Sequence, residues 1–206
     1  MKPKLIKNFI STDLAETFAA LFFLSDDIPE YLFKQEGHYH AKRIDNALGV
    51  TWNHHSPLWG DALMIALESK LRDATGLNLT PTYSFVRLYE HESELPPHYD
   101  KAHCEFSISV CLAHRLNEPN LLVIEDREEN SLNEFDLAPG DGLLFDGMNS
   151  RHWRDPVNGW LLMLYLHFVD TNGDYRDLAY DHRPGTGALF RKVQGRLSLG
   201  GDVSSG

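Results

Sequence analysis

Cysteine is almost absent from this chain: Cys104 and Cys111 are the only two. Seven residues apart in a strand-like run, they fall on opposite faces, so a bridge between them would need the chain to bend back. Buried free thiols in a reducing compartment are the expectation. No continuous apolar stretch follows Lys2 and Lys4, which argues against a secretory leader. The apolar run Phe18 to Leu24 is too short to span a bilayer. Basic residues are also scarce. Nineteen Lys and Arg face thirty Asp and Glu, a formal charge of −11, and no basic cluster stands out. That balance argues against a nucleic-acid or anionic-membrane surface, which needs a basic patch. There is no internal repeat. A cytoplasmic, soluble protein with neither a nucleic-acid nor a membrane partner is expected.

What is present fits one ordinary globular domain of 206 residues with 42% hydrophobic content. Leu5 to Ile10 reads as a short strand. Ser11-Thr12-Asp13 offers capping oxygens for a helix carrying Leu14, Phe18, Leu21 and Phe22. Residues 30–55 are rich in Tyr, His and Asn and read as short strands and loops. A second amphipathic helix opens at Ser56 or Pro57, with Leu63, Leu67 and Leu71 one turn apart and Gly76 where a C-cap glycine belongs. From Thr82 the period changes to two. Strands are expected at Tyr83–Tyr89, Phe106–Leu112, Leu121–Ile124, Glu134–Leu137, Gly142–Phe145, Asn149–Arg154 and Trp160–Phe168. Short strands joined by Pro, Gly, Asn and Asp turns predict a mainly β barrel or sandwich with the two helices on one outer face. The predicted domain covers residues 1–182, with 1–80 as support and 81–170 as the barrel core. Residues 183–206 turn to Gly, Arg and Ser and are expected to form a tail of uncertain order.

The chemistry is concentrated in His98-Tyr99-Asp100 and in His152, which lies beyond a Pro139-Gly140-Asp141-Gly142 turn. Alternate residues of an extended segment point the same way, so His98 and Asp100 can converge on one ion. Two imidazoles and a carboxylate on one face of an octahedron leave the other face open, as a facial Fe(II) site requires. Pro96-Pro97 holds the approach to His98 extended. His38-Tyr39-His40 repeats the spacing without a nearby carboxylate, and His54 and His55 point to opposite faces if extended; both pairs read as substrate-loop or structural residues. His167 on the last strand faces either the barrel or the helices. The acidic run Glu125 to Glu129 reads as a solvated loop.

The order of a tyrosine strand, HxD, a Pro/Gly turn, an apolar strand, a distal histidine and a closing strand resembles the 2-oxoglutarate/Fe(II)-dependent dioxygenases, particularly their prolyl-hydroxylase-like branch. The resemblance covers roughly residues 80–170. It implies a double-stranded β-helix (a jelly-roll or cupin-like barrel) with His98, Asp100 and His152 as both the iron ligands and the catalytic centre. It implies Fe(II), 2-oxoglutarate and O2 as the reaction's requirements, and Tyr89 as a contact of 2-oxoglutarate. An intact Asp100 implies hydroxylation rather than halogenation, on a peptidyl or free amino-acid side chain or a similar small substrate.

One departure stands out. The family places an Arg or Lys nine or ten residues after the distal histidine, to pair with the far carboxylate of 2-oxoglutarate, and here those positions are Leu161 and Leu162. A dianion in a dry barrel needs a charge partner or several hydrogen bonds. Arg154, two residues after His152 on the same face, is the first substitute; Arg87, on the face of Tyr89, is second and Lys101 third. Arg154 has a competing reading as a rim partner of Asp155, and Tyr89 as a plain core aromatic. Two other functions remain open at this level. One is a cupin-type metal enzyme that does not use 2-oxoglutarate, supported by the leucines at 161 and 162. The other is a non-catalytic barrel that binds a ligand. Oligomeric state is not readable from the pattern.

Overall fold

The computed structural model describes residues 1–27, 47–126 and 129–199. His38, His40, most of the 30–55 segment and the last residues of the expected tail lie outside that range. Among the described residues ten strands form two sheets. In the first, β1 (Lys4–Ile6), β8 (Gly142–Asp146), β5 (Phe106–Leu116), β10 (Gly159–Asp170), β3 (Leu79–Tyr89) and β2 (Thr51–His55) lie side by side in that order. In the second the order is β4 (Leu95–His98), β9 (His152–Arg154), β6 (Leu122–Asp126) and β7 (Ser131–Phe135). Every pairing is antiparallel.

Strand alternation sorts the side chains into two cores. On β10, Leu162, Leu164, Leu166 and Phe168 point outward and pack with Phe18 and Phe22 of α1 (Thr12–Asp27) and Leu63, Met64 and Leu71 of α2 (Leu58–Thr75). The alternate residues Leu161 and Met163 point inward and meet Leu95, Leu122 and Ile124 from the opposing sheet. Two sheets sharing that inner cluster make the barrel. Because the large sheet is covered on both faces, its strands read as nearly unbroken apolar runs.

Local signals do what the sequence predicts. The Ser11 hydroxyl accepts the Leu14 N–H at 3.2 Å at the start of α1. Gly76 ends α2 in the left-handed conformation, φ 71°, its N–H donating to the Arg72 carbonyl. Both cysteines are buried and free. In the Pro-Gly-Asp-Gly turn the buried Asp141 carboxylate accepts the N–H groups of Ala138 and Asn8, each at 3.1 Å, and pairs with Lys7 at 2.7 Å. Those bonds turn the chain away after Ile6, so the first strand is shorter than Leu5 to Ile10.

Further boundaries differ from expectation: β3 begins earlier, β5 runs on to Leu116, and β6 takes in Glu125 and Asp126 of the expected acidic loop. The segment before His152 is a turn: Asp146 Oδ1 accepts from both the backbone and the side-chain amide of Asn149, which stops strand pairing until His152. The strand expected at Glu134–Leu137 pairs earlier, at Ser131–Phe135. The expected tail begins instead with α3 (Thr186–Leu199), whose buried Phe190 meets the Tyr180 ring edge-on at 5.4 Å. Its glycines and arginines dilute the apolar period, and the Phe190 ring, with the Gln194 amide donating to Glu68 of α2, supplies the anchoring. Arg183 fastens the segment from the other side, pairing with the buried Asp61 carboxylate and donating to the Thr82 carbonyl.

Candidate metal centre

His98 at the end of β4 and His152 at the start of β9 are directly opposite each other in the antiparallel register. Their ring centroids are 4.3 Å apart. Each ring donates its Nδ1–H to the carbonyl two residues earlier, His98 to Pro96 and His152 to Ser150, both at 2.9 Å. This fixes the tautomer and turns both Nε2 lone pairs toward Asp100. Asp100 Oδ1 lies 3.6 Å from His98 Nε2 and 3.7 Å from His152 Nε2. The other carboxylate oxygen, Oδ2, accepts the Ser107 hydroxyl at 2.9 Å. One ligand atom from each of the three residues falls within 4.8 Å of the others. The donor set, its convergence and its outer hydrogen bonds fit a divalent transition metal.

The protonation states suit ligation. Burial raises the Asp100 carboxyl, but the neighbouring His98, His152 and His167 and the Ser107 hydroxyl outweigh it and hold it at about 2. Burial pushes the His152 imidazole below its ordinary value, keeping it neutral. Asp100, Cys104 and His167 form a second set within the same span. Its thiol is a poorer ligand, because burial pushes Cys104 up to about 12 and Tyr83 holds its sulfur at 3.0 Å.

Sequence reasoning passed over two residues that shape this centre. Ser107 Oγ touches Asp100 Oδ2, His167 Nδ1 (2.9 Å) and the Cys104 carbonyl (3.4 Å). Its inward alternation on β5 was visible; its partner 60 positions away was not. Gly147 lies under Asp100: the Asp100 N–H donates to the Gly147 carbonyl at 2.9 Å. A Cβ at Gly147 would overlap Asp100 Oδ2 and come within 2.6 Å of the Cys104 carbonyl.

A cavity of about 390 Å³ opens beside the triad, walled by His55, Tyr83, Phe85, Arg87, Tyr165 and His167, with Lys101 at its edge. His55 stacks on Tyr83 at 4.6 Å. His167 faces the barrel. Deeper in, Arg87 Nε donates to Asn53 Oδ1 at 2.8 Å and its Nη1 to the Tyr89 hydroxyl at 3.3 Å. The Tyr89 and Tyr165 hydroxyls are 2.9 Å apart, and burial raises the Tyr165 phenol well above its usual range. Leu161 sits opposite Tyr89 in the inner apolar cluster, and Leu162 faces the helices. Arg154 is buried behind the cavity wall. Its Nη1 donates to the Asn120 backbone and side-chain oxygens at 2.8 and 3.2 Å, and its Nε has no partner. Among the described residues no carboxylate pairs with Arg154, Asp155 included.

No family model matches the sequence, and no curated protein does either. Solved structures do. A prolyl-4-hydroxylase from Pseudomonas putida is 15% identical with a TM-score of 0.62, the match covering 82% of this chain and 92% of that one. A prolyl hydroxylase from Trichoplax adhaerens, solved with a peptide of the hypoxia-inducible factor oxygen degradation domain, is 14% identical at TM-score 0.61, covering 85% and 86%. An oxidoreductase of the 2OG-Fe(II) oxygenase family from Burkholderia pseudomallei is 14% identical at TM-score 0.60, covering 83% and 86%. At these identities the likeness is one of fold: the chain is a mainly antiparallel double-stranded β-helix with flanking helices.

Proposed function

We propose that this protein is an Fe(II)- and 2-oxoglutarate-dependent oxygenase that hydroxylates a small-molecule or peptide substrate, with His98, Asp100 and His152 as the iron ligands. One observation carries the reading. Two histidines and a carboxylate converge from two segments, both imidazoles already turned by Nδ1 hydrogen bonds to present Nε2. When bound, iron and 2-oxoglutarate supply the oxidising chemistry that uses O2 to place a hydroxyl on a C–H bond as 2-oxoglutarate becomes succinate and CO2.

The chain's own task is to hold these groups and keep water out. Ser107 fixes Asp100 so that one carboxylate oxygen faces the metal. The arginines answer the missing cation at Leu161 and Leu162. Arg87 lines the cavity, its guanidinium stacked 5.2 and 5.4 Å from the Phe85 and Tyr89 rings, and it takes the far carboxylate of 2-oxoglutarate together with the Tyr165 hydroxyl. Arg154, a buried cation without a carboxylate among the described residues, adds positive potential from behind. Tyr89 contributes by holding Arg87 and Tyr165 through its hydroxyl. The apolar side chain at Leu161 is what favours a cupin-type enzyme without 2-oxoglutarate, and the two arginines weigh against it.

The test is spectroscopic. Fe(II) and 2-oxoglutarate added without oxygen should give a visible metal-to-ligand charge-transfer band, and admitting oxygen should yield succinate. Neither band nor succinate would overturn the reading.

A further inference from the structure

Although the chain as a whole is acidic, its cavity is not. Among the charged described residues of the lining, Arg87 and Lys101 are cationic and Asp100 is the sole acid, its Oδ1 turned toward His98 and His152. With Arg87 assigned to 2-oxoglutarate, Lys101 is surplus. Its Nζ lies 4.9 Å over the Tyr83 ring at the cavity edge, and no carboxylate among the described residues pairs with it. An unpaired ammonium beside an aromatic wall is a ready site for a carboxylate.

A second polar group on the same wall has the opposite demand. Ser107 Oγ donates to the Asp100 carboxylate, which can only accept, so Ser107 accepts from His167 Nδ1–H at 2.9 Å. His167 is thereby fixed with an unprotonated Nε2, a hydrogen-bond acceptor, on a ring that lines the cavity. Its ring lies 4.7 Å from Tyr83 and stacks on Tyr165 at 6.3 Å, so aromatic faces surround it. Such faces suit a cationic N–H group.

We propose, building on the oxygenase reading, that the substrate is a free α-amino or α-imino acid, its carboxylate held by Lys101 and its N–H by His167 Nε2. A residue inside a peptide offers neither a carboxylate nor a charged amine, and a nucleic acid offers phosphates but no ammonium. Lys101 and His167 are specificity-determining residues; the side chain between them faces the metal.

The experiment uses the intact protein loaded with Fe(II) and 2-oxoglutarate. The anaerobic band comes first, because its absence defeats the oxygenase reading before any substrate is tried. With the band present, succinate release is measured with each of the twenty common L-amino acids and with L-pipecolate. Each is supplied as the free acid, the α-carboxamide and the N-acetyl acid. At least one free acid should accelerate succinate release tenfold or more, and both blocked forms should lose at least tenfold of that gain. A band with no stimulation by any free acid would overturn the proposal, and so would equal stimulation by the blocked forms. In variants, Lys101→Met should raise the half-saturating concentration of the free acid at least tenfold and leave its carboxamide unaffected. His167→Leu should erase the penalty for N-acetylation, while His167→Gln, which keeps an acceptor oxygen, should restore part of it. If the variants do not fold, the acid–amide comparison on the unaltered chain still decides.

Discussion

At the closed end of the barrel, Cys111, Leu137, Leu143, Leu161 and Met163 pack against one another; at the open end, His98, Asp100, Ser107, His152 and His167 are joined by hydrogen bonds and close polar contacts. The same strands build both. Along β10 the inward residues run Leu161, Met163, Tyr165 and His167, apolar at one end and polar at the other. At the open end His98 and His152 are each held by a carbonyl two residues away, while Ser107 ties Asp100 to the distant His167. The closed end is organised by packing, and one buried guanidinium, Arg154, is lodged beside it. Apolar packing is therefore concentrated at one end and polar contacts at the other, and the two buried arginines, Arg87 and Arg154, occupy the boundary.

The sharpest way to break this division is at the triad. His152→Ala should abolish the anaerobic charge-transfer band and succinate formation with a normally folded barrel, checked by circular dichroism and the optical titration. At the other end, Leu161→Ala should cost about 3 kcal/mol of stability in a denaturant titration while the band persists. If Leu161→Ala left stability intact but erased the band, the two ends would not be separate.

The boundary comes next. Arg87→Met should weaken 2-oxoglutarate binding tenfold or more with little change in iron affinity, and Arg154→Met should weaken it less, both read by titrating the band. A larger effect at Arg154 would reverse the assignment. Ser107→Ala should reduce iron affinity by about tenfold, since it removes the bond that orients Asp100.

The smallest expected effect is in pH. Burial lowers His152 and holds His167 at about 4, while both are near 6.5 in the unfolded chain. Between those values the unfolded chain binds more protons, so the stability present above pH 6.5 is lost as pH falls toward 4. The metal-free protein should lose a few degrees of Tm across that window, and His167→Leu should flatten the decline.

The same contrast explains what could be read in the residues beforehand. His98 and Asp100 were legible because an i, i+2 spacing after two prolines fixes a common face, and His152 because it follows a tight turn. Ser107 and Gly147 were not, because their roles arise from tertiary contacts that no local period encodes. Alternation put Arg154 and His152 on one face but carried no information on depth, and depth is what sets Arg87 on the cavity and Arg154 behind it. On β10, alternation left His167 undecided between barrel and helices, and only the completed sheet resolves it. The helix at 186–199 escaped notice because its anchors, the buried Phe190 ring and the Gln194 amide on Glu68, leave no apolar period.

Gly147 gives the metal signature a fourth member that carries no side chain. Any Cβ there would push on the carboxylate of Asp100, so a change as small as Gly147→Ala would be felt as a displaced ligand although every ligand is still in place. A homologue that keeps HxD and the distal histidine but fills this position has all the letters of the motif and lacks the space in which they work.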